Sequence, residues 1–243
     1  MEKRIFRIKT NRKVADRTFR LDLEACEPGY VFSGEFVDIA VPGFYLRRPL
    51  SVCGYESGTI SIIYKTVGHG TEALAGMEEG RTLEVICGLG HGFTAGACRE
   101  SALLVAGGLG AAPLLPVCRE LAAAGKRTNV ILGFNTASEI VLEDEFRSVA
   151  DSVTIVTMDG SSGQKGFVTD HLPDGGFDFF YTCGPLVMMK AVCAKIDVPG
   201  EASLEERMGC GAGFCYGCSC KTLTGTKRIC QDGPVFRKED IIW

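Results

Sequence analysis

Residues 209–230 read GCGAGFCYGCSCKTLTGTKRIC and hold five of the twelve cysteines in the chain. Whether these thiols pair as disulfides, wrap around zinc or hold an electron-carrying cluster governs how the rest is read. The spacing is Cys210-x4-Cys215-x2-Cys218-x11-Cys230, with Cys220 left over. A plant-type [2Fe–2S] centre has this pattern: two irons and two bridging sulfides need four thiolates, three of which come from one tight loop. Glycines at 209, 211, 213 and 217 let the backbone close around such a centre and turn N–H groups toward its sulfurs. Structural zinc more often brings two C-x2-C pairs or a Cys/His mixture. Here there is one such pair and no histidine in the segment. The [2Fe–2S] reading is the stronger, zinc stays open, and Cys220 is expected to point away as a spare thiol.

Composition narrows the field. A chain of 243 residues with formal net charge −4 is long enough for two or three compact units, and it has no run of Lys and Arg suited to a phosphate backbone. Neither nucleic acid nor anionic lipid is expected as a partner. The opening MEKRIFRIKT interleaves charged and apolar residues, unlike a signal peptide, and no apolar run reaches the roughly 18 residues of a membrane helix. These features place the chain in the cytoplasm and away from the membrane. Thiols stay reduced there, so disulfides recede and metal or redox chemistry gains. The cysteines outside the cluster stand singly and read as small buried hydrophobes.

Three segments follow one another. Residues 1–97 carry short runs with partial alternation (IFRIKT, RTFRLDLEA, EFVDIAV, TISIIYKTV and TLEVICG), separated by Gly, Pro and Ser. Five or six strands of this kind suggest a small antiparallel β barrel, with TEALAGM as one short helix or turn. Residues 98–200 alternate. SALLVAGG, NVILGF, SVTIVTMDG and FDFFYTCGP read as strands, and AAPLLPVCRELAAAG, EIVLEDEFRSVA and VTDHL as helices. That alternation implies an α/β doubly wound nucleotide-binding domain with a parallel sheet and helices on both faces. Residues 201–243 form the cysteine-rich [2Fe–2S] segment.

Further motifs sit where ligands bind. Arg48-Pro49-Leu50-Ser51 supplies a fixed cation for a diphosphate and a hydroxyl for a flavin ring edge, although alone it is a weak signal that also suits a surface turn. Ile63-Tyr64-Lys65 lies on the next long strand, and Gly68-His69-Gly70-Thr71 opens a short helix. Gly107-Gly108-Leu109-Gly110-Ala111-Ala112-Pro113 joins a strand to a helix where a dinucleotide would bind, without the G-x-G-x-x-G spacing. Cys183-Gly184-Pro185 ends the last strand at the same sheet edge. Cys183 could sit near a nicotinamide or be a buried structural thiol. His69, His91 and His171 match no metal spacing, and no catalytic acid–base set stands out.

Taken together, these motifs resemble the electron-transfer subunit of NAD-linked (type B) dihydroorotate dehydrogenase, within the ferredoxin reductase superfamily, over essentially the full length. The resemblance implies that Arg48, Pro49, Leu50, Ser51, Ile63, Tyr64, Lys65, Gly70 and Thr71 hold FAD on a barrel of residues 1–97. It implies that the 107–113 loop, with Gly108 and Gly110, and Cys183-Gly184-Pro185 receive NAD on residues 98–200. Cys210, Cys215, Cys218 and Cys230 match the family's four cluster ligands one for one. One departure is Cys87-Gly88-Leu89-Gly90-His91-Gly92-Phe93, where the family tends to have a proline in the glycine loop.

The implied function is to pass electrons from the FMN of a dihydroorotate-oxidising catalytic subunit through [2Fe–2S] and FAD to NAD⁺ in pyrimidine biosynthesis. The implied assembly is a heterotetramer with two copies of each chain. Similar subunits serve an NADH-dependent ferredoxin:NADP oxidoreductase, whose cluster has one aspartate ligand, and some hydrogenases and sulfide dehydrogenases. A zinc-stabilised binding module is the non-enzymatic alternative. Glu139, after NVILGF, would repel a 2′-phosphate and favour NAD over NADP. Phe214 and Tyr216 either fold inward or offer an interface anchor beside the cluster.

Overall fold

Period-two alternation builds the first unit. In the computed structural model, which describes residues 1–27, 29–30 and 35–243, the first strands are β1 (Glu2–Ala15), β2 (Thr18–Ala25), β3 (Phe36–Ile39), β4 (Arg48–Glu56), β5 (Thr59–Lys65) and β6 (Thr82–Leu89), with helix α1 (His69–Ala75) between β5 and β6. Among the described residues these six strands close an antiparallel barrel in the order β1-β2-β5-β4-β3-β6. Phe6 and Ile8, Leu21 and Leu23, Ile60, Ile62 and Tyr64, and Leu83 and Val85 occupy alternate positions and fill its core. Burying each such side chain contributes about 1.5–3 kcal/mol.

The barrel is not evenly laced. The β4–β5 register ends at Val52↔Ile62. Beyond it, among the described residues, Arg48–Ser51 pair with Ile39–Phe36 of β3, while Ile63–Lys65 pair with Arg20–Thr18 of β2. The two strands part over the two stretches that the sequence singles out for flavin.

The second unit is a sheet. Its elements are β7 (Ser101–Gly107), α2 (Ala111–Ala123), β8 (Arg127–Phe134), α3 (Glu143–Arg147), β9 (Ser152–Thr157), β10 (Gln164–Lys165), β11 (Phe179–Cys183), α4 (Leu186–Lys195) and β12 (Gly200–Ser203). After β13 (Ser219–Thr222), β14 (Gly225–Arg228) and α5 (Ile229–Asp232), β15 (Val235–Arg237) returns to the sheet edge. The order is β10-β9-β8-β7-β11-β12-β15, with β15 alone antiparallel to its neighbour. From β7 the chain crosses to β8 on one side, and from β11 to β12 on the other. Right-handed crossovers in opposite directions put α2 and α4 on opposite faces. Leu103, Val105, Ile131, Val156 and Phe180 form the core on the face where Val192 of α4 lies.

Two expected helices are shorter than their sequences suggest. In EIVLEDEFRSVA only Glu143–Arg147 is α-helical: Ala137–Glu139 makes a 3₁₀ turn, and Leu142 takes φ 60° while burying its side chain with Val141. Tertiary burial outweighs helix propensity there. VTDHL reaches only a 3₁₀ turn, Val168–Asp170, before Pro173 disfavours helical backbone at Leu172. Helix α4, which follows Pro185, and strands β12 and β15 were not anticipated.

The chain divides into two compact units: Met1–Gly92 with Glu206–Cys220 and Thr226–Pro234, and Phe93–Glu205 with Lys221–Gly225 and Val235–Trp243. Residues 201–243, expected as one cysteine-rich segment, are shared between them. The cysteine loop belongs with the barrel, whereas β12 and β15 complete the sheet. Among the described residues no helix is long and apolar enough to cross a membrane.

The start of β7 hangs on one carboxylate. Asp178 accepts hydrogen bonds from the backbone N–H groups of Arg99, Glu100 and Ser101 at 2.7, 2.8 and 3.0 Å. Burial raises its pKa, but these bonds outweigh it and hold the carboxyl below the usual carboxylate range. A depressed folded pKa means stability that is present above about pH 4 and lost as pH falls through the folded value. Asp178→Asn should therefore cost about 1–3 kcal/mol at neutral pH in denaturant melts. The gap from wild type should narrow in acid, and a gap independent of pH would refute this account.

Candidate functional site

The four cysteines of the spacing motif share one feature: loop N–H groups aim at each of their sulfurs. Cys210 Sγ accepts from Phe214 N at 3.3 Å and Cys215 N at 3.4 Å. Cys215 Sγ accepts from Gly217 N at 3.4 Å, Cys218 Sγ from Cys230 N at 3.4 Å, and Cys230 Sγ from Gly213 N at 3.1 Å. The sulfur of Cys220 is met by its own backbone N–H. Left-handed backbone at Gly211 (φ 63°) and Gly213 (φ 83°), and at Tyr216 (φ 57°), produces these directions.

Burial raises the Cys210 pKa, but N–H groups of Ala212, Cys215 and Phe214 and the Cys215 side chain outweigh it and bring the thiol down to about 7. Burial and neighbouring Cys218 push Cys230 up to about 12. Cys218 and Cys230 are buried, Cys210 half-buried and Cys215 exposed, so one edge of the loop faces solvent. Phe214 and Tyr216 stand on that edge at 79% and 64% exposure and do not fold inward.

Four soft thiol donors with N–H support suit iron–sulfur chemistry.

A clamp missed from sequence closes the loop. Arg228 donates to Gly213 O at 2.9 Å, its backbone N–H and Nε donate to Asp232 Oδ2 at 2.7 and 3.3 Å, and its guanidinium lies 5.1 Å from the Tyr216 ring centre. The i, i+4 spacing in RICQD is its only sequence signal. The glycine loop after β6 joins the same assembly: His91 N–H donates to Gly233 O at 2.7 Å, just past Cys230. A Cβ on Gly90 would lie 2.7 Å from Pro234 Cδ.

The flavin motifs meet on the barrel. A Cβ on Gly70 would fall 2.0 Å from Arg48 Nη2, so the glycine turn and the arginine are in direct contact. Arg48 donates to the carbonyls of Leu46 and Arg47 at 2.5 and 3.2 Å and lies 5.1 Å from the Phe44 ring centre, which holds its cation in place. The Thr71 hydroxyl is taken up locally, accepting from Val67 N at 2.9 Å and donating to Gly68 O at 2.9 Å. Alternation turns Tyr64 into the core, where its hydroxyl donates to Asn11 Oδ1 at 3.0 Å. Ile63 is buried too. Backbone edges, with the parting of β4 and β5 at Ser51, Leu50 and Pro49, are what these strands can offer a flat ring.

The nucleotide motifs meet at the carboxyl ends of adjacent β7 and β11, the point where strand order reverses. A Cβ on Gly110 would lie 2.2 Å from the Cys183 carbonyl oxygen, and one on Gly184 2.8 Å from Gly107 N. Gly108 takes φ 54°, with open space beside it. Cys183 is buried, its sulfur 3.9 Å from Glu205 Oε1. Glu139 Oε2 accepts from Asn135 Nδ2 at 2.7 Å and its backbone N at 3.3 Å, holding a carboxylate just beyond β8.

A barrel with a diphosphate-type cation, a doubly wound sheet with its glycine switch point and a four-cysteine loop define a flavin- and nucleotide-dependent oxidoreductase of the ferredoxin reductase type. Residues 205–242 match the iron-sulfur cluster binding domain of dihydroorotate dehydrogenase B, and residues 104–194 the oxidoreductase NAD-binding domain. The chain is 38% identical over 223 residues to the dihydroorotate dehydrogenase B (NAD(+)) electron transfer subunit of Fusobacterium nucleatum, covering 86% of each. It is 36% identical over 257 residues to that of Bacillus velezensis, covering 99% of each.

The solved structure of an NADH-dependent reduced ferredoxin-NADP oxidoreductase superposes with TM-score 0.87 at 31% identity, over 98% of this chain and 90% of that one. Phthalate dioxygenase reductase shares the fold, with TM-score 0.64 at 21% identity, over 96% of this chain and 75% of that one. The chain belongs to the family of dihydroorotate dehydrogenase B (NAD⁺) electron transfer subunits.

Because a Cβ at Gly110 meets backbone rather than a yielding side-chain end, Gly110→Ala should push the Cys183–Gly184 loop away. Titration with NADH should show at least a tenfold weaker Kd, about 1.4 kcal/mol, with the flavin spectrum intact. Unchanged affinity would mean that the loop has no part in the nucleotide site.

Proposed function

We propose that the chain is the redox subunit of an NAD-dependent dihydroorotate dehydrogenase, with FAD on the barrel, NAD at the β7–β11 switch point and a [2Fe–2S] cluster on Cys210, Cys215, Cys218 and Cys230. The carrying observation is that loop N–H groups serve the sulfurs of these four cysteines. When bound, the cluster handles single electrons, NAD⁺ takes two as a hydride, and a flavin exchanges with both. Arg48 would hold the flavin diphosphate, and Ser51 with the parted edges of β4 and β5 would orient its ring. The chain places and tunes these groups and supplies no acid or base of its own. Glu139 favours NAD over NADP. A reducing cytoplasm suits the free thiols.

Replacing Cys210, Cys215, Cys218 or Cys230 with Ser should abolish or shift the EPR signal of the reduced, reconstituted protein, since iron prefers thiolate to the harder oxygen. Cys220→Ser should leave the signal intact. A signal that vanishes in Cys220→Ser and persists in Cys218→Ser would overturn the assignment, and zinc without acid-labile sulfide would replace it by the zinc module.

The exposed edge of the loop supports the proposed partner. Phe214 and Tyr216, beside Cys215, make an aromatic anchor over the cluster loop. An FMN-bearing subunit that oxidises dihydroorotate docks there, in an assembly of two copies of each chain. Native purification should recover that subunit, and the complex should reduce NAD⁺ with dihydroorotate while leaving NADP⁺ nearly untouched. Recovery with a hydrogenase or a ferredoxin-linked subunit would keep the electron transfer and remove dihydroorotate.

A further inference from the structure

Asp38 is an oddity of the barrel. It lies on β3 between Val37 and Ile39, paired across to Pro49 on β4 and Ile86 on β6, and is 3% exposed. Its Oδ1 is buried and has no hydrogen-bond partner. Its Oδ2 points at the cysteine loop: a Cβ on Gly211, the residue after Cys210, would lie 2.8 Å from it. Buried carboxylates are costly unless paired, and an unsatisfied one calls for a reason. Burial raises its pKa to about 6, and the cations of Arg47 and Arg48 pull the other way. At pH 8 the group is therefore ionised, a negative charge lodged in the barrel wall against the loop.

We infer that Asp38 is a positioning residue for charge, holding a negative group against the cluster loop and lowering the reduction potential of the centre bound there. The inference rests on the cluster assignment above. A nearby negative charge disfavours the added electron, so the reduced centre passes it on more readily. Two unit charges about 10 Å apart, at an effective dielectric of about 20, change such an equilibrium by about fifteenfold. Gly211 makes the approach possible, since any side chain there would collide with the carboxylate and would also meet φ 63°.

The test is an EPR-monitored redox titration at pH 8 of the full chain, loaded with cluster and flavin. Asp38→Asn keeps the shape and removes the charge. It should raise the cluster midpoint by at least tenfold in the reduction equilibrium, about 59 mV for one electron, with iron content and g-values unchanged. Asp38→Glu, which keeps the charge, should move it much less. An Asp38→Asn midpoint equal to wild type overturns the inference. If Asp38→Asn takes up no cluster, Asp38→Thr is read in its place against the same criterion. Should neither neutral variant hold a cluster while Asp38→Glu does, the charge serves assembly rather than potential, and the inference again fails. Absence of iron and labile sulfide from the wild type would instead sink the cluster assignment itself.

Discussion

Sulfur is a weak hydrogen-bond acceptor, and three sulfurs in one short loop with a fourth on α5 need backbone N–H groups aimed at them from several directions. That demand explains the local chain more fully than any packing argument. Gly211 and Gly213 take left-handed backbone, and Tyr216 does so despite its side chain, at a cost of about 1–3 kcal/mol for such a conformation. Arg228 offsets it by fastening Gly213 O and the Tyr216 ring to Asp232. The loop then has little apolar surface of its own to bury, so it leans on the barrel's glycine loop and on Asp38.

The barrel obeys a related constraint. A closed antiparallel barrel leaves no edge for a flat ring to join, unless two neighbouring strands stop pairing. Strands β4 and β5 do so after Val52↔Ile62. Pro49 has no N–H to offer a ladder, so little pairing is forgone there. Arg48, anchored by carbonyls and by Phe44, brings its cation to Gly70 in the first turn of α1. The sequence motif RPLS thus records a break in a ladder.

The barrel and the sheet were readable from apolar periodicity, and the cysteine spacing from the arithmetic of four thiolates. What escaped did so for physical reasons. EIVLEDEFRSVA has helical propensity, but burial of Val141 and Leu142 pulls half of it into a turn. Tyr64 belongs to the motif that the resemblance assigns to FAD, and strand alternation turns its ring into the core. The sharing of residues 201–243 between two units depends on long-range pairing of β12 with β15, which no local pattern announces. Arg228 and Asp232 left only their i, i+4 spacing as a hint, and Asp38, far in sequence from the cysteine loop it faces, only a lone charge inside the apolar run EFVDIAV.

The division into units has a consequence for electron flow. Candidate residues for both flavin and cluster, from Arg48 through Thr71 and from Cys210 through Cys230, belong to the barrel unit, whereas Gly108, Gly110 and Cys183 belong to the sheet unit. Single-electron exchange between two bound centres falls off steeply with separation, so both would gain from sharing one compact unit. The nucleotide is a diffusible partner that must arrive and leave, and its loop is built for close backbone approach, with Gly110 against Cys183 and Gly184 against Gly107. On the function proposed above, a permanent pair of centres on one unit and an exchangeable acceptor on the other would suit a one-electron to two-electron converter.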